Sequence, residues 1–112
     1  MKATSSKIAI QGKEGLLLVN KQEIMYAMAK GNHTEIYLAD HRKVRVLRKL
    51  KEVFSLLPGT DFIRIHRSYI VNLEHVVQFN QIGSGQVYLM NGQVLPVARN
   101  RKSAFLEQFI KI

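Results

Sequence analysis

Catalysis and metal binding need particular side chains at particular spacings, and this 112-residue sequence offers few of them. His66 and Ser68 alternate along one run and so share a strand face. No Asp or Glu stands beside them to orient the imidazole for activating a nucleophile. Asp40-His41, with His33 upstream, comes nearest to a metal-ligand set, but its donors are few and interleaved with cations that repel a divalent ion. The eight carboxylates are scattered, which leaves no pair for glycosidase-type acid–base work. Gly83-Ser84-Gly85 lacks the remaining glycine and the Lys-Ser/Thr ending of a phosphate loop, and reads as a hairpin turn. With no cysteine there is no thiol nucleophile, disulfide, thiolate zinc site or iron–sulfur centre. Neither enzyme activity nor a cofactor is expected.

What the sequence does offer is positive charge. Lys and Arg number 17 against 8 Asp and Glu, a formal net charge of +9 with a pI near 10.1. A charge this far from zero calls for a polyanionic partner or a tolerance of self-repulsion. Nucleic acid, ribosomal RNA and an anionic membrane surface all fit, and the distribution favours nucleic acid. His41 to Lys51 reads HRKVRVLRKLK, with six Lys or Arg and no acid; His75 to Leu106 contains no Asp or Glu, while Arg99, Arg101 and Lys102 cluster. Three polar or basic segments stand at the edges of strand-like runs. They are Lys30-Gly31-Asn32-His33-Thr34, Ile65-His66-Arg67-Ser68-Tyr69 and Val97-Ala98-Arg99-Asn100-Arg101. Each puts a hydrogen-bonding side chain where a base edge could be reached. Taken singly, His33 also fits a turn residue, Arg67 a surface ion pair, Arg99 a pre-helix charge and His66 a buried, satisfied histidine.

The elements that would position these residues are short and mostly β. Lys7–Gln11 and Leu16–Asn20 read as a hairpin, followed by strands at Ile24–Lys30, Thr34–Leu38 and Lys43–Val46. Leu47, Leu50, Val53, Phe54 and Leu57 then fall on one helical face that Pro58-Gly59 ends. Phe62–Ile65 and Ser68–Val71 return to β character. Asn91-Gly92 between Gln86–Met90 and Gln93–Val97 predicts a two-residue hairpin loop with both residues at positive φ. From Arg101 to Ile112, Phe105, Leu106, Phe109 and Ile110 form a second helical stripe, with Asn100 or Ser103 as cap. The expected fold class is mainly antiparallel β with two short helices. The length suits one domain, residues 1–112. No run approaches the ~20 apolar residues of a membrane span, and the N-terminus lacks an apolar signal core. A cytoplasmic location without membrane contact is therefore expected.

The segments IMYAMAKGNHTEIYLAD, LKEVFSLLPGTDFIRIHRSYIVNLEHV and VYLMNGQVLPVARNRKSAFLEQF resemble the LytTR DNA-binding domain of bacterial transcriptional regulators. The likeness runs from about Lys7 to Phe109. Its most specific part is Phe62-x-Arg64-Ile65-His66-Arg67-Ser68-Tyr69-Ile70-Val71-Asn72, with the upstream Gly31-Asn32-His33 turn and the Leu95-Pro96-Val97-x-Arg99 ending. The resemblance implies an elongated, sandwich-like antiparallel fold whose loops, not a recognition helix, read bases in successive major grooves. It implies His33, Arg67 and Arg99 as base-contacting residues, with Arg67 suited to a bidentate contact with guanine. It further implies direct-repeat promoter sites, with dimerisation on DNA. Such domains usually follow a phosphoacceptor receiver domain or a membrane segment; this chain shows neither, so it is expected to be a stand-alone regulator or a domain of a longer one.

Asn32, His66, Ser68, Arg42, Lys43, Arg48, Lys49, Asn100, Arg101 and Lys102 are expected to orient the loops or grip the DNA backbone, with Arg45 and Lys51 extending the surface. Arg99, Arg101 and Lys102 also crowd the N-terminus of the last helix, where the macrodipole disfavours cations and a phosphate would relieve them. Two other readings stay open: an RNA-binding or ribosome-associated basic β module, and an interaction module for an acidic protein partner.

Overall fold

The computed structural model describes residues 5–112, so the first four residues of the expected domain lie outside the described residues. The strands are β1 (Lys7–Gly12), β2 (Gly15–Asn20), β3 (Ile24–Lys30), β4 (His33–Leu38), β5 (Lys43–Val46), β6 (Phe62–His66), β7 (Tyr69–Asn72), β8 (Val76–Asn80), β9 (Gln86–Leu89) and β10 (Val94–Pro96). The helices are α1 (Leu50–Leu56) and α2 (Lys102–Leu106). A five-stranded antiparallel sheet, ordered β5-β4-β3-β7-β6, forms the middle layer. Strand alternation gives it two apolar faces. Ile36, Leu38, Phe62 and Ile70 pack with Ile10 and Val19 of the β1–β2 hairpin and with Leu50 and Val53 of α1. Met25, Ile65 and Val71 pack with Val87, Leu89, Leu95 and Val97 around the β10-β9-β8 sheet, and with Phe105 of α2. The Cα radius of gyration is 14.0 Å, against about 13 Å for a compact chain of this length. The expected elongation is therefore modest, with extents of 41 × 30 × 26 Å.

Sequence reasoning placed most strands to within a residue or two, and the departures have local causes. No strand was expected at Val76–Asn80. It is an edge strand with a register irregularity between Val76 and Gln78, so its side chains lose the clean alternation that marks a strand. The β9–β10 connection is a three-residue loop, Met90-Asn91-Gly92, not a two-residue one. Gly92 N–H donates to Leu89 O and Leu89 N–H to Gln93 O, both at 2.9 Å. Only Gly92 takes positive φ, +89°, which is the three-residue pattern of an ordinary turn closed by one left-handed residue. The last helix is shorter than its stripe. α2 ends at Leu106, Phe109 folds its ring edge onto Phe105 at 5.2 Å, and Ile110 is exposed. Neither Asn100 nor Ser103 caps it, because Arg99–Arg101 is already a 3₁₀ turn running into the helix. Five residues make a weak macrodipole, so the expected phosphate seat at this N-terminus loses its basis.

Candidate nucleic-acid interface

The order β5-β4-β3-β7-β6 brings five chain ends to one rim of the sheet. The β3–β4 turn, Gly31-Asn32, lies there with Lys30 paired opposite His33, and the β6–β7 turn, Arg67-Ser68, lies there with His66 opposite Tyr69. The turns belong to neighbouring strand pairs, about two strand spacings or ~10 Å apart. Ser68 O accepts from Ala29 N–H at 2.9 Å, which ties the second turn to the strand that feeds the first. The end of β5 arrives at the same rim, where Thr34 Oγ1 donates to Arg48 O at 2.8 Å. The rim thus gathers Asn32, His33, Arg48, Lys49, His66, Arg67 and Ser68.

A β-bulge adds the third segment. The register slips between Arg64 and His66, so Ile65 has no partner on β7 and its carbonyl is left outside the ladder. Ala98 N–H donates to that carbonyl at 2.8 Å, docking Arg99-Asn100-Arg101 against the end of β6 that leads into Arg67. The same segment is held from its other side: Val97 N–H donates to Gly85 O at 2.9 Å, and Ser84 Oγ donates to Val97 O at 2.7 Å. Gly83-Ser84-Gly85 is accordingly a hairpin turn that buttresses Arg99. Lys102 Nζ donates to Gln81 Oε1 at 2.8 Å and lies over the Phe79 ring. Arg67, Arg99 and Asn100 are exposed; His33, Arg101 and Lys102 are half-buried.

Among the described residues the ion pairs are Lys21–Asp61 at 3.0 Å, Arg42–Asp40 at 2.7 Å, Lys43–Glu35 at 3.6 Å, Arg45–Glu35 at 3.8 Å and Arg48–Glu52 at 3.5 Å. Lys7, Lys13, Lys30, Lys49, Lys51, Arg64, Arg67, Arg99, Arg101, Lys102 and Lys111 have no carboxylate partner among the described residues; of these the sequence singles out Lys49, Lys51, Arg67, Arg99, Arg101 and Lys102 as DNA-facing. Arg42 and Lys43 do not join them, contrary to the sequence grouping. Lys43 pairs with Tyr37 and Arg42 O accepts from Leu38 N–H, which places them at the other end of β4, four to five residues or about 13–17 Å from His33. The strand rise simply carries one basic run across the whole sheet. Asp40-His41 is separated from His33 for the same reason. Among the described residues no group of three or more His, Cys, Asp or Glu stands together.

His66 acts on the turn. Its Nδ1 accepts from Ser68 N–H at 3.1 Å, so Ser68 meets the imidazole through its backbone and not its hydroxyl. Glu35 is buried at the centre of β4, where Tyr37 Oη donates to Oε1 at 2.9 Å. That bond, with Lys43, Lys30 and Arg45 nearby, holds the carboxyl below the usual range despite burial, while burial and Glu35 push the Tyr37 phenol up to about 12. Arg64, not singled out by sequence reasoning, donates from Nη2 to Arg67 O at 2.6 Å. Its basicity is lowered by burial and by the neighbouring Arg101 charge. Among the described residues no helix is long and apolar enough to cross a membrane.

The sequence profile of the LytTr DNA-binding domain matches residues 14–110. The chain is 31% identical over 101 residues to the sensory transduction protein LytT of Bacillus subtilis, covering 87% of this chain and 41% of that protein. It is 32% identical over 84 residues to the CO-responsive transcriptional regulator RcoM of Rhodospirillum rubrum, covering 72% of this chain and 35% of that protein. The chain therefore spans about two fifths or less of these curated relatives. Among solved structures it resembles the LytTr DNA-binding domain of a Bacillus cereus protein described as a methyl-accepting/DNA response regulator. That likeness has a TM-score of 0.80 at 27% identity and covers 94% of this chain and 97% of the other. Profile, fold and the cation-rich rim agree, and the chain belongs to the LytTR family of DNA-binding domains.

Proposed function

We propose that this chain is a sequence-specific reader of double-stranded DNA in transcriptional regulation, with bases in successive major grooves contacted through turns. His33, Arg67 and Arg99 contact base edges, and Arg67 takes guanine through O6 and N7. Asn32, Arg48, Lys49, Asn100, Arg101 and Lys102 meet the phosphate backbone, while His66 and Ser68 hold the central turn. Arg42 and Lys43, set against Leu38 and Tyr37 at the other end of the sheet, stay off the duplex. One domain, with its core at about residues 7–109, occupies one half-site. Two domains meet on a direct repeat spaced about one helical turn, ~10–10.5 bp, so that both face the same side of the duplex. Control by a receiver domain in a longer parent protein accords with relatives named as sensory transduction proteins.

The observation that carries this reading is the single rim on which three separate segments present cations with no carboxylate partner. Uncompensated charge of one sign on one surface is the footprint of a polyanion. Membership of a DNA-binding family favours duplex DNA over the RNA and acidic-protein readings. The test is selection of bound sequences from a random duplex library, followed by a salt series on variants. Arg67→Ala and Arg99→Ala each lose about 1–3 kcal/mol and relax preference at one position. Lys49→Ala weakens all duplexes alike and lowers the salt slope by about 0.9. If both Arg variants keep the full ratio of selected to scrambled duplex, the turns do not read bases. Inserting half a helical turn between repeats should abolish joint occupancy; indifference to the insertion refutes the repeat geometry.

A further inference from the structure

Arg64 is placed at a cost that the fold does not explain. It is half-buried on β6, and its Nε is buried without an acceptor. No carboxylate lies within ion-pair distance among the described residues, and Arg101 is the charge it feels. A structural arginine at such depth normally finds an acid and satisfies its donors. Here one donor is left orphaned and a like charge is tolerated.

What Arg64 does hold is the turn. Its Nη2 donates to the carbonyl of Arg67, three residues on, at 2.6 Å, a short charge-assisted bond. Three other bonds converge on the same few residues: Ser68 N–H to His66 Nδ1, Ala29 N–H to Ser68 O and Ala98 N–H to Ile65 O. The bulge at Ile65 separates Arg64 from this turn, so the side chain reaches forward over the bulge to the residue that it re-aims. Without Arg64 the Arg67 carbonyl has no partner among the described residues, and the peptide after Arg67 is held at one end only, by Ser68 N–H on His66 Nδ1.

We propose that Arg64 is a positioning residue for base recognition: by fixing the Arg67 carbonyl across the bulge, it sets the direction in which Arg67 meets its base pair. The inference rests on the reading of Arg67 given above. A bidentate contact depends on placing two donors together, and small displacements forfeit it. Lysine at position 64 keeps the charge but is shorter and lacks the planar fork, so it separates orientation from electrostatics.

The test measures affinity of the whole chain for the selected duplex with each base pair varied in turn. Wild type is compared with Arg64→Lys, Arg64→Gln, Arg67→Ala and Arg99→Ala. Arg64→Lys should lose discrimination about fivefold or more at the position that Arg67→Ala relaxes, corresponding to about 1 kcal/mol. It should leave the Arg99-dependent position and the salt slope unchanged, and add nothing in the Arg67→Ala background. Wild-type discrimination at that position in Arg64→Lys, or an equal loss at every position, overturns the proposal. So does failure of both Arg64→Lys and Arg64→Gln to melt cooperatively, which would make Arg64 a folding residue. If Arg67→Ala relaxes no position, the reading of Arg67 fails and this inference falls with it. If Arg67→Ala relaxes one position and Arg64→Lys none, only this inference fails.

Discussion

Gly85 is where a single methyl group should matter most. It is buried between the β8–β9 turn and the Arg99 segment, and its carbonyl receives Val97 N–H. Its φ is +121°, and a Cβ built there would stand 2.6 Å from both Cε1 and Cζ of Phe79. The ring is held on two sides. It packs against Phe105 at 5.9 Å, and the Lys102 ammonium lies over it, also at 5.9 Å. Two penalties therefore combine in Gly85→Ala: about 1–3 kcal/mol for a backbone region essentially restricted to glycine, and about 1–3 kcal/mol for overpacking. Restricting the unfolded chain returns about 0.4–1 kcal/mol, so the expected loss centres on about 3 kcal/mol. Gly83→Ala is the internal control. Its φ is +63°, but nothing lies within 4 Å of its Cβ position, so only the backbone penalty of about 1–2 kcal/mol applies. Urea denaturation should give unfolding free energies that differ by about 2 kcal/mol between the two variants at unchanged m. Phe79→Leu, which shortens the obstructing ring, should recover part of the Gly85→Ala loss in a double-mutant cycle. If the two alanine variants agree within about 0.5 kcal/mol, the clash is relieved freely and the rigidity assigned to this buttress is wrong.

Asn72→Leu should cost about 2–5 kcal/mol in urea denaturation, because the buried amide donates to Lys21 O and Ile24 O and accepts from Glu74 N–H; a loss below about 1 kcal/mol would mean that these groups find other partners. His41 sits at φ 74° in a β4–β5 turn with the same hydrogen bonds as the Met90–Gly92 loop, so His41→Gly should stabilise by up to about 1 kcal/mol without changing DNA affinity. A lower melting temperature in that variant would refute the strain. Glu35 and Asp61 have folded-state pKa values below their unfolded ones, so their stabilisation is complete above about pH 4.5 and is lost as pH falls through the folded-state values. Glu35→Gln should flatten the acid limb of the stability–pH curve, measured by melting between pH 6 and pH 2 at roughly fixed ionic strength; an unchanged limb would show that Glu35 does not titrate with unfolding.

The sequence by itself determined the local elements, because local physics makes them. Short runs rich in β-branched or aromatic residues between turn residues set β3, β4 and β7; the 3.6-residue stripe and Pro58-Gly59 set α1; Gly92 marked a turn that needs one left-handed residue. It also located the turns and strand ends beside which His33, Arg67 and Arg99 stand. Tertiary structure decided everything that depends on which strands are neighbours. Only the pairing of β3 with β7 brings the His33 and Arg67 turns to one rim, and no local rule relates segments that far apart in the chain. The basic run from His41 to Lys51 looked continuous because sequence has no length scale. A strand rise of about 3.3 Å per residue sends Arg42 to the far end and Arg48 to the rim. β8 escaped notice because an irregular edge strand is defined by its partner β9. Arg64 escaped because its role exists only once Ile65 bulges out and the Arg67 carbonyl turns within reach, a geometry that the ladder register creates.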